Sequence, residues 1–485
     1  GGTIALILTL LAFVLLVPAT TRWIASLEQF LLFDVSLVFV GVLLFCTIAI
    51  AVLGLGPWGR VVLDGEDATP EFSNLTYFSM ILSVGIAAGI AFFGPAESII
   101  YLSEIPPGIS PDASPAEIAP WGMSFALTHW GIVTSTTTAV FSVPIAFYCY
   151  RRGAPFRVSS AFYPVVKNRP VLSGTIDVLS IAALVLGISS STMEVTRNFL
   201  AGIEFQWGVA YPESAVVIFI IGIALVYTTS AVTGIVRGIR RISLISLGTF
   251  LVVVIATLVL GPTGAILRIA ADATLAQPAH FKSLALNIQT EWAAIWSVFN
   301  WAIWFALSAG YGLFTARISR GRTIREVIGY TVLASGTANM IWFYIVGGAV
   351  LQTQLSGQAD VLGLVGEVGP EIAGYPMLLS LPVGELFLFL FLGLGLLFII
   401  NSADSQTLSV AMMSSKDTES PPRANRFFWG GAMGLTAIVL IVVGGDNSVG
   451  SLAVVSGFLM AIGAVVALAT LLQSLWRADD LSSPE

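Results

Sequence analysis

"SVGIAAGIAFFG", Ser83 to Gly94, lies inside an apolar stretch, Leu75–Leu102, that is long enough to cross a bilayer. Gly85, Gly89 and Gly94 punctuate it. Each glycine in a helix interior costs about 1 kcal/mol relative to alanine, and hydrocarbon offers no hydrogen-bond partner to a broken backbone. A span interrupted in this way reads as a broken helix beside a cavity. A second stretch, "ALSAGYG" (Ala306–Gly312), puts small residues in the middle of another span, five spans further on. Interrupted spans in corresponding positions point to an inverted-repeat transporter that binds its solute near the bilayer midplane. Close packing of neighbouring helices would explain either stretch taken alone.

The rest of the 485-residue chain supports a membrane protein. It is 56% hydrophobic and 10% charged, against about 25% charged in soluble domains. Twelve apolar segments are expected: Thr3–Val17, Phe33–Leu55, Leu75–Leu102, Met123–Tyr150, Ile176–Ile203, Ala215–Thr229, Ile242–Leu260, Trp292–Phe314, Ile328–Val350, Pro376–Met413, Phe427–Val443 and Leu452–Leu475. Runs of this length are helical rather than the alternating ten-residue strands of a β-barrel. The fold class is therefore all-α and polytopic. The chain opens "GGTIALILTL", without Met or a basic leader, which reads as a truncated or processed start. With a net charge of −7 and three lysines, no basic patch supports a nucleic-acid partner. Cys46 and Cys149 both fall in apolar segments, so no disulfide framework is expected.

Basic residues sort by loop. Seventeen of the 21 Lys and Arg fall on one side, in the loops after even-numbered segments and the C-terminal tail, among them Arg317, Arg320, Arg322 and Arg325. The other side holds Arg22, Arg268 and Lys282, and Arg197 lies within a span. The positive-inside rule puts the basic loops and both termini in the cytoplasm of a cell whose plasma or inner membrane holds the protein.

"ARISRGRTIREV" (Ala316–Val327), preceded by "FNWAIWFALSAGYGLF", resembles the signature region of the betaine/choline/carnitine transporter family. "EFSNLTYFSMILSVGIAAGIAFFG", "HWG" at His129–Gly131, "GIVRGIRRIS", "GPT" and "NSADS" at Asn401–Ser405 follow the family pattern in order, over nearly the whole chain. The resemblance implies a leucine-transporter-like core of two inverted five-helix repeats preceded by two helices. Residues 1–70 would hold the two leading helices, 71–262 and 263–476 the repeats, and 477–485 a short tail. It also implies a homotrimer in the lipid bilayer. The implied activity is secondary transport of quaternary ammonium compounds or related zwitterions such as compatible solutes, with no cofactor beyond Na+ as a possible coupling ion.

Relatives that bind trimethylammonium groups enclose them in aromatic rings, by cation–π attraction. The cage positions of the family fall here on Trp130, Ser135, Thr138, Ile303, Trp304 and Leu307, with Gly85 and Gly89 at the break. Only the two tryptophans remain aromatic. Ser135 and Thr138 belong to the unbroken hydroxyl run Thr134–Thr138 and are expected to face the cavity. Losing several desolvated cation–π contacts, each worth up to about 2 kcal/mol, suggests a smaller or more hydroxyl-friendly zwitterion. Trp301, Phe305, Phe92 or Tyr311 could compensate. The resemblance puts a sodium site at Ser83, Ile86, Phe398, Asn401 and Ser402, with Asn401 where a threonine is usual and alanines at 87 and 88 stiffening the break.

Glu194 and Arg197 are one helical turn apart in the fifth span. Ionisable residues inside a membrane default to a functional role. They are candidates for coupling, although Arg197 near the end of its span can instead snorkel. Glu97 and Asp404 could relay protons or hydrogen-bond helix ends, and His129 reads as a packed, hydrogen-bonded imidazole. No catalytic motif such as H-E-x-x-H or G-x-S-x-G occurs, so an enzyme is not expected. The alternatives are an exchanger of amino acids or other polar solutes on the same fold, and a membrane sensor that binds solute without moving it.

Overall fold

Backbone groups in hydrocarbon must bond within their own segment, and the long Leu-, Ile- and Val-rich runs meet this by folding as helices. The computed structural model describes residues 18–65, 67–85, 87–235, 238–416, 419–443 and 446–477. In chain order the long helices are α1 (Pro18–Phe33), α2 (Ser36–Leu55), α3 (Asn74–Gly85), α4 (Ala87–Ile100), α5 (Pro115–Trp130), α6 (Ile132–Arg152), α7 (Pro170–Trp207) and α8 (Glu213–Thr233). They continue with α9 (Ile239–Leu260), α10 (Thr263–Asn287), α11 (Glu291–Ile318), α12 (Ile324–Leu355), α13 (Gly384–Met413), α14 (Arg423–Val443) and α15 (Asp446–Trp476). Among the described residues ten helices, with α5 and α6 counted as one, are long and apolar enough to cross a membrane, and α3 with α4, bent by 59°, pass the same test as a pair. The first expected segment, Thr3–Val17, lies outside the described residues. α11 packs on α6 and α15, α13 on α4, α7 and α9, and α8 on α14.

The bend between α3 and α4 falls where the glycines of Ser83–Gly94 break the span. The second expected break is absent. Ala306–Gly312 runs through α11 as continuous helix, and its glycines serve packing: a Cβ on Gly312 would lie 2.6 Å from Cβ of Phe141. A different span is interrupted instead. α5 ends at Trp130 and α6 begins at Ile132, with Gly131 extended between them. Here the hydroxyl run does its work. Thr134 donates to Thr128 O at 2.5 Å, Ser135 to Gly131 O at 2.9 Å, Thr136 to Val133 O at 2.6 Å and Thr137 to Thr134 O at 2.8 Å. Asn339 Nδ2 adds a bond to Trp130 O. Thr128 O and Trp130 O, beside the break, thus find side-chain partners.

α10 carries too many polar residues to show as an apolar segment, and none was expected there. It is not among the helices fit to span. Ile266, Ile269, Ala273, His280 and Leu284 make its buried face, which lies along α5. His280 Nε2 meets Thr128 Oγ1 at 2.9 Å, and Gln277 donates to Ser124 O.

On the side of the basic loops the bundle is tied shut. Arg322, fully buried, donates to Phe72 O at 2.8 Å and Asn74 Oδ1 at 3.1 Å, with its guanidinium 4.0 Å above the Tyr77 ring. Arg325 donates to Gly54 O, Arg317 pairs with Glu71 and Glu419, and Arg320 with Asp64. Cys46 and Cys149 are buried free thiols.

Candidate solute site

A cavity of about 250 Å³ opens among α4, α5, α7 and α11. It lies in the half of these helices away from the basic loops, since Glu97 is near the end of α4 and Ile295 near the start of α11. Helical periodicity assembles the wall. Gly89, Phe93 and Glu97 recur at four-residue steps on α4, as do Trp296, Asn300 and Trp304 on α11, followed by Leu307 and Tyr311. α7 presents Ser191, Glu194, Val195 and Asn198. Phe92, Trp130, Ile295, Phe299 and Ile303 complete the lining. Seven of these side chains are aromatic, two are carboxylates and none is basic.

Trp130 is held on every side. Its Nε1 donates to Glu97 Oε2 at 2.6 Å. Phe93 and Phe343 stack near-parallel on its ring, with centroids 5.2 Å and 6.1 Å away, and Trp304 meets it edge-on at 5.8 Å. A Cβ at position 89 would sit 3.2 Å from the Trp130 ring, so Gly89 is what admits the indole. Glu97, 1% exposed, accepts from Tyr101 OH at 2.6 Å and lies 2.5 Å from His129 Nδ1. His129 Nε2 reaches Ser297 Oγ at 2.8 Å. Ser297 belongs to a π-helical stretch, Ala294–Val298. Such stretches often mark functional sites.

Of the residues singled out in the sequence, Trp130, Ile303, Trp304, Leu307 and Gly89 meet at this cavity, with Phe92, Tyr311, Glu97 and Glu194. Ser135 and Thr138 are buried but do not line it, which corrects the expectation that they face it. For Ser135 the cause is the bond to Gly131 O. Trp301 and Phe305 also lie off the wall. Arg197 lies three residues beyond Glu194, off the α7 face that meets the cavity, and is exposed. Gly85 is the last residue of α3. Phe93, Trp296, Phe299, Ser191, Asn198 and Asn300 were not anticipated, although their spacing from Glu97, Glu194, Ile303 and Trp304 would have placed them on the same faces.

The expected cation ligands divide. Ser402 Oγ donates to Ser83 O and Val84 O, both at 3.5 Å, and Ser83 Oγ has no partner among the described residues. Asn401 turns towards α9: its Oδ1 accepts from Ser243 at 3.1 Å and its Nδ2 donates to Ser246 at 2.7 Å. Phe398 is buried, its ring beside Phe250. Ile86 lies outside the described residues. Asp404, fully buried away from the cavity, accepts from Ser230. Among the described residues no group of three or more His, Cys, Asp or Glu could hold a metal ion. Outside the spans, burial pushes the His280 imidazole down to about 3, with the nearby His129 adding to the shift.

Residues 2–480 match the family described as BCCT, betaine/carnitine/choline family transporter. Similar chains include a glycine betaine/proline/choline transporter of Vibrio parahaemolyticus, 27% identical over 89% of this chain and 81% of that one. The glycine betaine transporter OpuD of Bacillus subtilis is 28% identical over 93% and 87%. The betaine/ectoine transporter LcoP of Corynebacterium glutamicum is 28% identical over 100% and 77%. Among solved structures, that of MhsT in complex with L-phenylalanine matches with a TM-score of 0.50 at 15% identity, covering 86% of this chain and 92% of that one. This last likeness is of fold alone, and the fold is the leucine-transporter-like one. The match across nearly the whole length settles the family: the chain belongs to the betaine/carnitine/choline transporters.

Proposed function

We infer that the chain is a secondary transporter of a betaine-like zwitterion, working by alternating access. One observation carries the reading: a cavity walled by seven aromatic side chains and two carboxylates, with no basic residue. Aromatic faces and carboxylates attract an ammonium group, and enclosure strengthens both interactions. The volume is below the roughly 300–1,000 Å³ of pockets for drug-sized ligands, in keeping with a small solute. Aromatic residues of α4 and the first turns of α11 stand in for the cage positions held here by Ser135 and Thr138. This weakens the case for a less methylated solute and favours a quaternary ammonium.

The basic loops are read as cytoplasmic, so the cavity faces outward and the Arg322 cluster closes the inner side. Ser83 O, Val84 O and Ser402 Oγ are hard oxygen donors beside the break and form the candidate site for a coupling cation, with Na+ the favoured ion. Asn401 serves there only if its amide leaves Ser243. The trimer implied by the family resemblance is part of the same reading.

The test is binding of glycine betaine to the purified protein, competed by choline, carnitine, proline and ectoine. Trp304→Leu is expected to weaken betaine about thirtyfold, the equivalent of roughly 2 kcal/mol. Direct binding of proline or ectoine, with no binding of betaine, would favour the polar-solute alternative.

A further inference from the structure

We propose that His129, Glu97 and Ser297 form a proton-binding site whose occupancy sets the cavity's affinity for a positively charged headgroup. This rests on the reading of the cavity as the solute site. Glu97 lines the cavity and accepts from three donors: Tyr101, Trp130 and His129. Only His129 among them can carry charge. With Nδ1–H directed at the carboxylate, Nε2 faces a hydroxyl, which both donates and accepts. Ser297 donates to a neutral ring and accepts from a protonated one, so neither state leaves a buried polar atom without a partner. A proton binds Nε2 when the Ser297 hydroxyl turns, and the bonds of Tyr101, Trp130 and His129 Nδ1 to Glu97 are kept.

The net charge of the Glu97–His129 pair is then −1 without the proton and zero with it. The pair is bonded directly to the edge of Trp130. An ammonium group in the cavity is attracted to the first state more than to the second. Linkage is reciprocal, so solute binding must in turn expel the proton.

The elements packed around the pair carry the other ionisable groups of the region. Tyr101 follows α4, and Glu104 follows it; α7 brings Glu194 and Arg197, and α11 brings Glu291 and Tyr311. α10 brings His280, α3 brings Tyr77, α12 brings Tyr344, and α13 has Glu385 and Asp404 towards its two ends. The segment between α12 and α13 adds Glu367, Glu371 and Tyr375. None of these donates to either Glu97 oxygen except Tyr101, so His129 is the group whose charge the carboxylate meets directly.

The chain has two histidines, which makes the test direct. Histidine-labelled full-length protein would be followed by ring NMR from pH 5.5 to 8.5, with His280→Gln assigning the two signals. The His129 signal is expected to move with pH, and glycine betaine at fixed pH to move it towards the neutral form. Calorimetric binding should show betaine weakening about tenfold from pH 8.5 to 5.5. His129→Gln, which keeps a partner for Ser297, should bind with no pH slope. A His129 signal that ignores pH overturns the proposal, as does a slope that survives in His129→Gln. If the variant does not fold, the wild-type signal alone decides. If betaine never binds while His129 still responds to pH, the solute reading fails and the proton site stands.

Discussion

Trp130 shows how residue chemistry outruns alignment. Its role as a cavity wall was legible from "HWG", but what fixes it was not: Glu97, thirty-three residues away, holds the indole edge, and Gly89 gives the ring room. Side-chain contacts of this kind depend on how helices meet, which one sequence does not state. The hydroxyl run illustrates the opposite error. Ser135 and Thr138 look like part of a polar cavity wall, yet Ser135 bonds back to Gly131 O, as Thr134, Thr136 and Thr137 do to carbonyls of their own. Ser135→Ala should therefore change betaine affinity by less than about twofold, as expected of a hydroxyl spent on its own helix. Gly89→Ala should weaken betaine about tenfold or more, because the new Cβ must displace the Trp130 ring that builds the wall. A calorimetric comparison of the two variants checks both statements. A large loss in Ser135→Ala, with Gly89→Ala unaffected, would return the cavity wall to the hydroxyl run.

At the scale of elements, apolar runs located the spans because burial in lipid demands long apolar helices. The same criterion passed over α10, whose polar face and Pro278 disguise a 25-residue helix. Its attachment carries a pH dependence. The docked His280 must stay neutral, since burial pushes its value down to about 3 from an ordinary 6.5. Between those values the undocked chain binds the extra proton, so stability is present above about 6.5 and is lost as pH falls towards 3. At pH 5 the loss is roughly 2 kcal/mol. The thermal midpoint should fall between pH 7 and pH 5 in the wild type, and by less in His280→Gln. The break in the fourth span was equally unseen: Gly131 is one glycine among many, and only its position after Trp130 and before a hydroxyl run marks it. In the Arg322 cluster the ion pairs of Arg317 and Arg320 stand beside the carbonyl, amide and ring contacts of Arg322 itself. Arg322→Lys should cost roughly 2–3 kcal/mol of stability, because an ammonium cannot make the same fan of bonds while stacking on Tyr77. A thermal midpoint unchanged in this variant would remove the cluster from the closing machinery.

For the whole molecule, membrane class and span alternation followed from composition and charge, and the family from long motifs such as "ARISRGRTIREV". The supposed pair of glycine breaks was half right, since the second glycine set packs α11 against α6 instead of breaking it. What emerges is a cavity on one side of the bundle, a tied-off opposite side, and a bent span with Ser83 and Ser402 between them. That arrangement suits a carrier that exposes its solute site to one side at a time. The most direct test is uptake of labelled glycine betaine into proteoliposomes holding the full chain, with and without an inward sodium gradient. The account predicts uptake above protein-free liposomes, accelerated by the gradient and abolished by Trp304→Leu at micromolar solute. Uptake no greater than in protein-free liposomes, with ectoine or proline carried instead, would contradict it.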